Sequence, residues 1–194
     1  MSRQQTKKLP STDTIRQELD RYTYRRNFMR TLRNTIFTLV VVAATTILVA
    51  VLLMPILRIY GTSMNGTVNN GDLVVSIKRA DFKTGDVIAF YYNNTILVKR
   101  VIAKSGDWVD IDEEGNVYVN QKLLNEPYLS SKALGETNIE LPYQVPEDRI
   151  FVMGDNREVS VDSRNTAVGC VTGEQIVGKI IFRVWPFAGF GFVR

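Results

Sequence analysis

The stretch DVIAFYYNNTILVKRVIA, Asp86 to Ala103, holds two runs of β-branched and aromatic residues separated by Asn93-Asn94. Asparagine tolerates the left-handed backbone that a tight turn requires, so the stretch reads as a β-hairpin. The same composition recurs outward from it. LVVSIKR (73–79), WVDI (108–111), VYVN (117–120), RIFVMG (149–154) and IVGKIIFRVW (176–185) are all strand-like. Turn-forming clusters divide them: Lys83-Thr84-Gly85-Asp86, Ser105-Gly106-Asp107 and Glu113-Glu114-Gly115-Asn116, with Glu114-Gly115-Asn116 a second hairpin tip. No strand–helix alternation is present, which argues against a parallel α/β sheet. The expectation is a mostly β domain, antiparallel and barrel-like or coiled. Residues 121–148 are its least regular part, and no repeat or low-complexity tract is evident.

Composition narrows the chemistry. The 194 residues include no histidine and one cysteine, Cys170. A Ser-His-Asp triad, a Cys-His pair and an imidazole-based zinc site are therefore excluded, as is an internal disulfide. Acid–base chemistry falls to Lys, Asp, Glu or Tyr, and neither a cofactor nor a metal is expected. The net charge of +4 is unevenly spread: residues 1–35 hold nine Lys+Arg against three Asp+Glu, and residues 58–194 fifteen against seventeen. The large domain is thus mildly acidic, and a nucleic-acid partner is not indicated.

Residues 36–57, IFTLVVVAATTILVAVLLMPIL, run for twenty-two positions without a charge. A helix of that length crosses a hydrocarbon core of about 30 Å. A buried core helix seldom lacks a polar face over such a length, and no small-x-small cleavage pair follows, so the segment reads as an uncleaved transmembrane anchor. Arg25, Arg26, Arg30 and Arg33 precede it, against Arg58 beyond it. The positive-inside rule then places residues 1–35 in the cytoplasm, as a basic helical tail, and residues 58–194 outside it. Ser11, Thr12 and Asp13 are candidate caps for the tail helix, which suits either a headgroup-bound or a solvated position.

Three places hold candidate chemistry. Ser63, in IYGTSMNGTVNNGD (Ile59 to Asp72), stands six residues beyond the apolar run, within about 20 Å of its end. It suits either an ordinary turn hydroxyl or a nucleophile kept near the membrane face. Lys99 lies inside a strand whose alternation puts Leu97 and Val101 on its face. Aliphatic surroundings would lower its pKa until the neutral amine can serve as a base; alternatively its stem packs and its head reaches water. GDNREVSVDSR (Gly154 to Arg164) is either a solvated charged loop or a source of support, with Asp155 and Asp162 as partners for Arg100 and Arg164 and Ser160 as a hydroxyl to orient an amine.

Together these boxes resemble the bacterial type I signal peptidase family. Ser63-Met64 is similar to its nucleophile box, Val98-Lys99-Arg100-Val101 to its base box, and GDNREVSVDSR fits its pattern GDNRxxSxDSR. Gly71-Asp72, Gly85-Asp86, Leu124-Asn125-Glu126-Pro127-Tyr128 and Arg183-Val184-Trp185-Pro186 follow in family order, so the likeness spans about residues 36–187. The resemblance implies a membrane-bound serine endopeptidase that removes signal peptides from exported preproteins. Ser63 would be the nucleophile, Lys99 the general base and Ser160 the hydroxyl orienting it. Asp155 would pair with Arg100, while Asp162 and Arg164 would buttress the same loop. The Ser63 N–H, helped by the turn at Gly61, would hold the oxyanion. Substrates would carry Ala-x-Ala-like sites, and the enzyme would work in the cell membrane near the secretion translocon.

Two positions depart from the family. Gly66 stands where Ser-Met-x-Pro-Thr-Leu has proline, which removes a fixed φ beside the nucleophile. Asn165-Thr166-Ala167-Val168-Gly169 lengthens the link after Arg164. Trp185, Phe187, Phe190 and Phe192 suit either an interfacial fringe or terminal packing. The main alternative function is a catalytically silent, membrane-anchored β domain acting as a binding or assembly factor. A self-cleaving Ser-Lys repressor is disfavoured by the apolar span and the lack of a DNA-binding module.

Overall fold

The computed structural model describes residues 11–78 and 81–193, so residues 1–10 of the basic tail and Arg79 at the end of the first expected strand lie outside it. The chain divides into two compact units, Met1–Val49 and Ala50–Arg194. One helix, α1 (Thr12–Leu53), runs through the first unit and ends in the second. Ser11 supplies its N-cap, with Ser11 Oγ accepting from Thr14 N at 3.3 Å, and Asp13 sits in the first turn where the helix dipole favours an anion. The apolar stretch tolerates its threonines because Thr38, Thr45 and Thr46 each donate to the carbonyl four residues back, at 2.9 Å. No α1 residue is buried, and the helix is long and apolar enough to cross a bilayer.

The uncharged run does not stay helical to residue 57. Pro55 has no N–H to continue the helix and disfavours α geometry at Met54, so α1 stops at Leu53. The next residues become a strand, β1 (Ile56–Arg58), which pairs antiparallel with β2 (Leu73–Ile77). Two carbonyls freed at this junction are used by β2 and the residue after it: Ser76 N donates to Pro55 O at 3.0 Å and Lys78 N to Leu53 O at 3.4 Å.

The hairpin that opened the sequence reading forms as expected. β3 (Val87–Tyr92) and β4 (Thr95–Lys104) pair from Tyr92↔Thr95 to Val87↔Arg100, around Asn93 at φ 49°. The remaining strands are β5 (Trp108–Ile111), β6 (Val117–Val119), β7 (Lys122–Leu123), β8 (Tyr143–Gln144), β9 (Arg149–Met153), β10 (Val171–Thr172), β11 (Ile176–Trp185) and β12 (Gly191–Phe192). They build two wholly antiparallel sheets. The larger has the order β1-β2-β11-β3-β4-β9-β10, with β12 beside β11; the smaller has the order β7-β6-β5-β8. The larger order has two ends, β1 and β10, so among the described residues the coiled sheet does not close into a barrel.

Three apolar clusters follow from strand alternation. Val87, Ala89 and Val98 share one cluster with Ile59, Met64, Val68 and Val74, whereas Ile88, Phe90, Leu97 and Val101 belong to another with Val152 and Val171. The third joins β5, β6 and β9 through Val109, Val117, Phe151 and Met153. The irregular segment 121–148 packs back on the β5–β6 turn. Gly115 has φ +80°, and a Cβ there would lie 2.5 Å from the Ala133 backbone.

Replacing Gly115 by alanine should therefore destabilise the fold by roughly 2 kcal/mol or more. Thermal unfolding of the detergent-solubilised chain measures this; an unchanged midpoint would mean that segment 121–148 does not rest on this turn.

Candidate active site

Strand β4 carries Lys99 and Arg100 to opposite faces of the large sheet. Lys99 is 3 % exposed, pairs across β3 with Ile88, and stands between Leu97 and Val101 of the same cluster. On its other flank β4 pairs with β9, with Arg100 opposite Met153. One step further along that antiparallel register brings Lys99 alongside Gly154. A Cβ built on Gly154 would stand 2.1 Å from Ser160 Oγ and 2.6 Å from Ser63 O. Lys99 Nζ donates to that same Ser160 Oγ at 2.9 Å. The Ser63 loop, the lysine amine and the Ser160 hydroxyl thus meet over a glycine whose missing side chain leaves them room.

Burial pushes the Lys99 amine down from 10.5 to about 8. Asp162 pulls against this, Arg164 reinforces it, and Asp155 opposes it more weakly. Among the described residues the amine is bonded to Ser160 Oγ rather than to Ser63 Oγ. The Ser160 hydroxyl also helps to hold the Asp162 carboxyl low. Burial alone would raise Asp162, but its bonds from Arg164, Gly154 N and Ser160 outweigh that and keep it an anion.

The ion pairs expected from the sequence are present and buried. Arg100 grips Asp155 with Nε–Oδ1 at 2.8 Å and Nη2–Oδ2 at 2.6 Å. Arg164 grips Asp162 with Nε–Oδ1 at 2.8 Å and Nη2–Oδ2 at 2.9 Å. Arg164 also ties the loop backbone, donating to Arg157 O at 3.0 Å, Ser160 O at 3.2 Å and Leu134 O at 2.6 Å. Bidentate pairs with their remaining donors satisfied are the form in which buried charge is tolerated.

Other partners were not legible in the sequence. Glu126 forms a third buried pair with Arg157, whose Nε also holds Gly154 O at 3.1 Å. Tyr128 donates to Glu126 at 2.8 Å, and its ring lies 3.8 Å beneath the Arg100 guanidinium. Thr67 Oγ1 joins the Ser63 loop to the Arg100–Asp155 pair, donating to Asp155 at 2.5 Å and accepting from Arg100 at 2.8 Å. The only available signal was the place of Glu126 and Tyr128 in a run matching the family order. Cys170 lies in the β5–β6–β9 cluster, where burial pushes its thiol up, so it takes no part here.

Ser63 is half-buried at the border of a cleft of about 720 Å³. One wall is Ile56–Gly61 and the other is Asn94–Val98. Strand β1 pairs with β2 alone, and the β4–β9 ladder begins only at Arg100. Among the described residues, each wall therefore presents a strand edge without a ladder partner. Gly61 N donates to Asn70 Oδ1 at 3.2 Å, so that N–H is already engaged, which leaves the Ser63 N–H as the oxyanion donor to consider.

Gly66 does more than loosen the loop. Its φ of +102° is closed to proline, whose ring fixes φ near −65°. Restoring the family's residue with Gly66→Pro should weaken this loop, and an enhanced rate of proteolytic nicking between residues 59 and 72 would register it. Lysine acylation followed across pH should place the Lys99 midpoint near 8, well below the ordinary lysine value of 10.5. A midpoint at the ordinary value would remove the case for a desolvated amine.

Comparison with known proteins identifies the family of the chain. The family model described as "Signal peptidase, peptidase S26" matches residues 30–185. Signal peptidase IB from Staphylococcus aureus is 38% identical over 68% of this chain and 78% of its own length. Signal peptidase I from Bacillus licheniformis is 34% identical over 73% of this chain and 86% of its own. A crystal structure of a signal peptidase I from Enterococcus faecalis aligns at 28% identity over 52% of this chain and 97% of that one, with a TM-score of 0.45. The chain belongs to the signal peptidase family, peptidase S26.

Proposed function

We propose that this chain is a membrane-anchored serine endopeptidase that releases signal peptides from exported preproteins, with Ser63 as nucleophile and Lys99 as general base. The observation that carries this reading is the meeting of Lys99 Nζ, Ser160 Oγ and the Ser63 main chain over Gly154, at the border of the cleft.

The chemistry follows from the bonding. A neutral amine has one lone pair and two N–H groups. Ser160 Oγ accepts from one N–H, its own proton being directed toward Asp162, and the lone pair is left for the Ser63 hydroxyl. Docking of substrate tightens the approach of Ser63 to the amine. Ser63 attacks the scissile carbonyl while Lys99 takes its proton, the Ser63 N–H faces the developing oxyanion, and the ammonium protonates the leaving amine. Water then resolves the acyl-enzyme with Lys99 again as base. Asp155, Arg100, Asp162 and Arg164 fix the loop that aims Ser160.

An extended segment suits the cleft because both walls offer free strand edges for main-chain hydrogen bonding, with small side chains admitted at −3 and −1, as in Ala-x-Ala. The basic residues before the apolar segment favour a cytoplasmic N-terminus and an extracytoplasmic catalytic domain, near the secretion translocon. Phe187 and Phe192, 74% and 75% exposed, would lie in the lipid interface.

Incubating the solubilised protein with a preprotein bearing Ala-x-Ala, and mapping the cut, tests the reading. Ser63→Ala and Lys99→Ala should each reduce cleavage by about 10³-fold or more while the unfolding midpoint persists. An active Lys99→Ala enzyme would overturn the dyad, and an inert wild type would favour a silent binding factor. Because the amine must be uncharged, kcat/KM should rise about tenfold per pH unit below 8 and level off above it. Gly154→Ala should abolish cleavage as well, since its methyl group has no space beside Ser160 and Ser63.

A further inference from the structure

The loop that carries Ser63 is closed at its neck. Ile59 N donates to Asp72 O at 2.8 Å, and Gly71 N to Ile59 O at 2.9 Å. Inside the loop, Met64 and Val68 are buried, and Thr67 N and Val68 N both donate to Met64 O, at 3.1 and 3.0 Å. Residues 64–68 thus form one tight turn directly after the nucleophile.

Thr67 is gripped from two sides. Its hydroxyl is held by Arg100 and Asp155. Its carbonyl accepts from Arg183 Nη1 at 3.3 Å, and the same nitrogen donates to Asp72 Oδ2 at 2.9 Å. Arg183 Nε is fixed in turn by Gly189 O at 2.6 Å. Asp72 is 4% exposed and also accepts from Asn69 N at 2.9 Å, so it belongs to the loop's own framework.

Gly66 makes this clasp necessary. It lacks proline's rigidity, and a cavity of about 530 Å³ borders it, lined also by Thr67, Tyr128, Arg183 and Phe192. A Cβ on Gly66 would meet Ser130 Oγ and Tyr128 O at 3.6 Å, ordinary contact distance, so the atoms facing the loop at this point are polar. Polar grip replaces apolar packing there.

We propose that Arg183 is a positioning residue for Ser63, acting through Thr67 O and Asp72 to hold the nucleophile loop in register with Lys99. The proposal rests on the reading of Ser63 as nucleophile. Among the described residues Arg183 bonds neither Lys99 nor Ser160, so its removal leaves the amine's titration where it is.

The test compares Arg183→Met, Arg183→Lys and Asp72→Asn in the full solubilised chain, with two independent readouts. Amide hydrogen exchange reads the loop whether or not the protein is active, and preprotein cleavage reads the chemistry. Arg183→Met should speed exchange across residues 59–72 by about tenfold or more, with β4 and β9 unchanged. It should lower kcat by about 10- to 100-fold with KM within about twofold, and the pH midpoint should stay near 8. Arg183→Lys, which retains charge but not the fork, should fall between. Unchanged loop exchange overturns the proposal, and so does faster loop exchange at wild-type kcat. If Arg183→Met also loses protection in β4, the variant has misfolded, and Asp72→Asn decides by the same criteria. A wild type that cuts no preprotein, with a loop that still loosens in Arg183→Met, removes the protease reading and upholds only the clasp.

Discussion

The site depends on keeping one amine dry. Lys99 is almost fully enclosed, and moving its pKa from 10.5 to about 8 corresponds to roughly 3 kcal/mol against the charged form. The surroundings would defeat that effect if the neighbouring carboxylates were free to act on the amine. Asp155 and Asp162 both favour the ammonium, and each is instead held by a bidentate arginine. The arginines neutralise the carboxylates, and the carboxylates make three buried guanidinium groups tolerable once Glu126 is included. Burial can then dominate the lysine.

Space matters as much as charge. Gly154 is the point where Ser160, Lys99 and the Ser63 loop approach one another, and a single methyl group would separate them. Gly66 serves differently: its positive φ sets the direction of the chain into Thr67, which joins the loop to Arg100 on one side and Arg183 on the other. Proline would stiffen this position but in another conformation. Long-range bonds hold the loop, and they tie the Ser63 segment to Arg183, more than a hundred positions away in the chain.

Much of the architecture was legible from pattern. Every strand read from β-rich runs is present, because alternation and turn chemistry are local properties. The short strands β7, β8, β10 and β12 were not read: two-residue elements carry no period, and their partners alone define them. Strand β1 begins at the end of the uncharged run, where apolar composition alone does not separate a membrane helix from a strand; Pro55 divides the two. The pairing of Arg100 with Asp155 and Arg164 with Asp162 was anticipated. Glu126, Tyr128, Thr67 and Arg183 gave no comparable signal, since nothing local tells a threonine or a glutamate which distant arginine it will meet.

The sequence by itself determined the chemical vocabulary: no imidazole, a lysine within an aliphatic strand, a serine in a glycine-rich loop, and an antiparallel β plan behind a long apolar helix. These follow from composition and periodicity, which act over a few residues. Tertiary structure decided what the lysine touches, which carboxylates are neutralised, and which backbone N–H groups are already engaged, as at Gly61. The reason is physical. A pKa and a line of attack depend on desolvation and on distances of a few ångströms between groups that only the folded chain brings together.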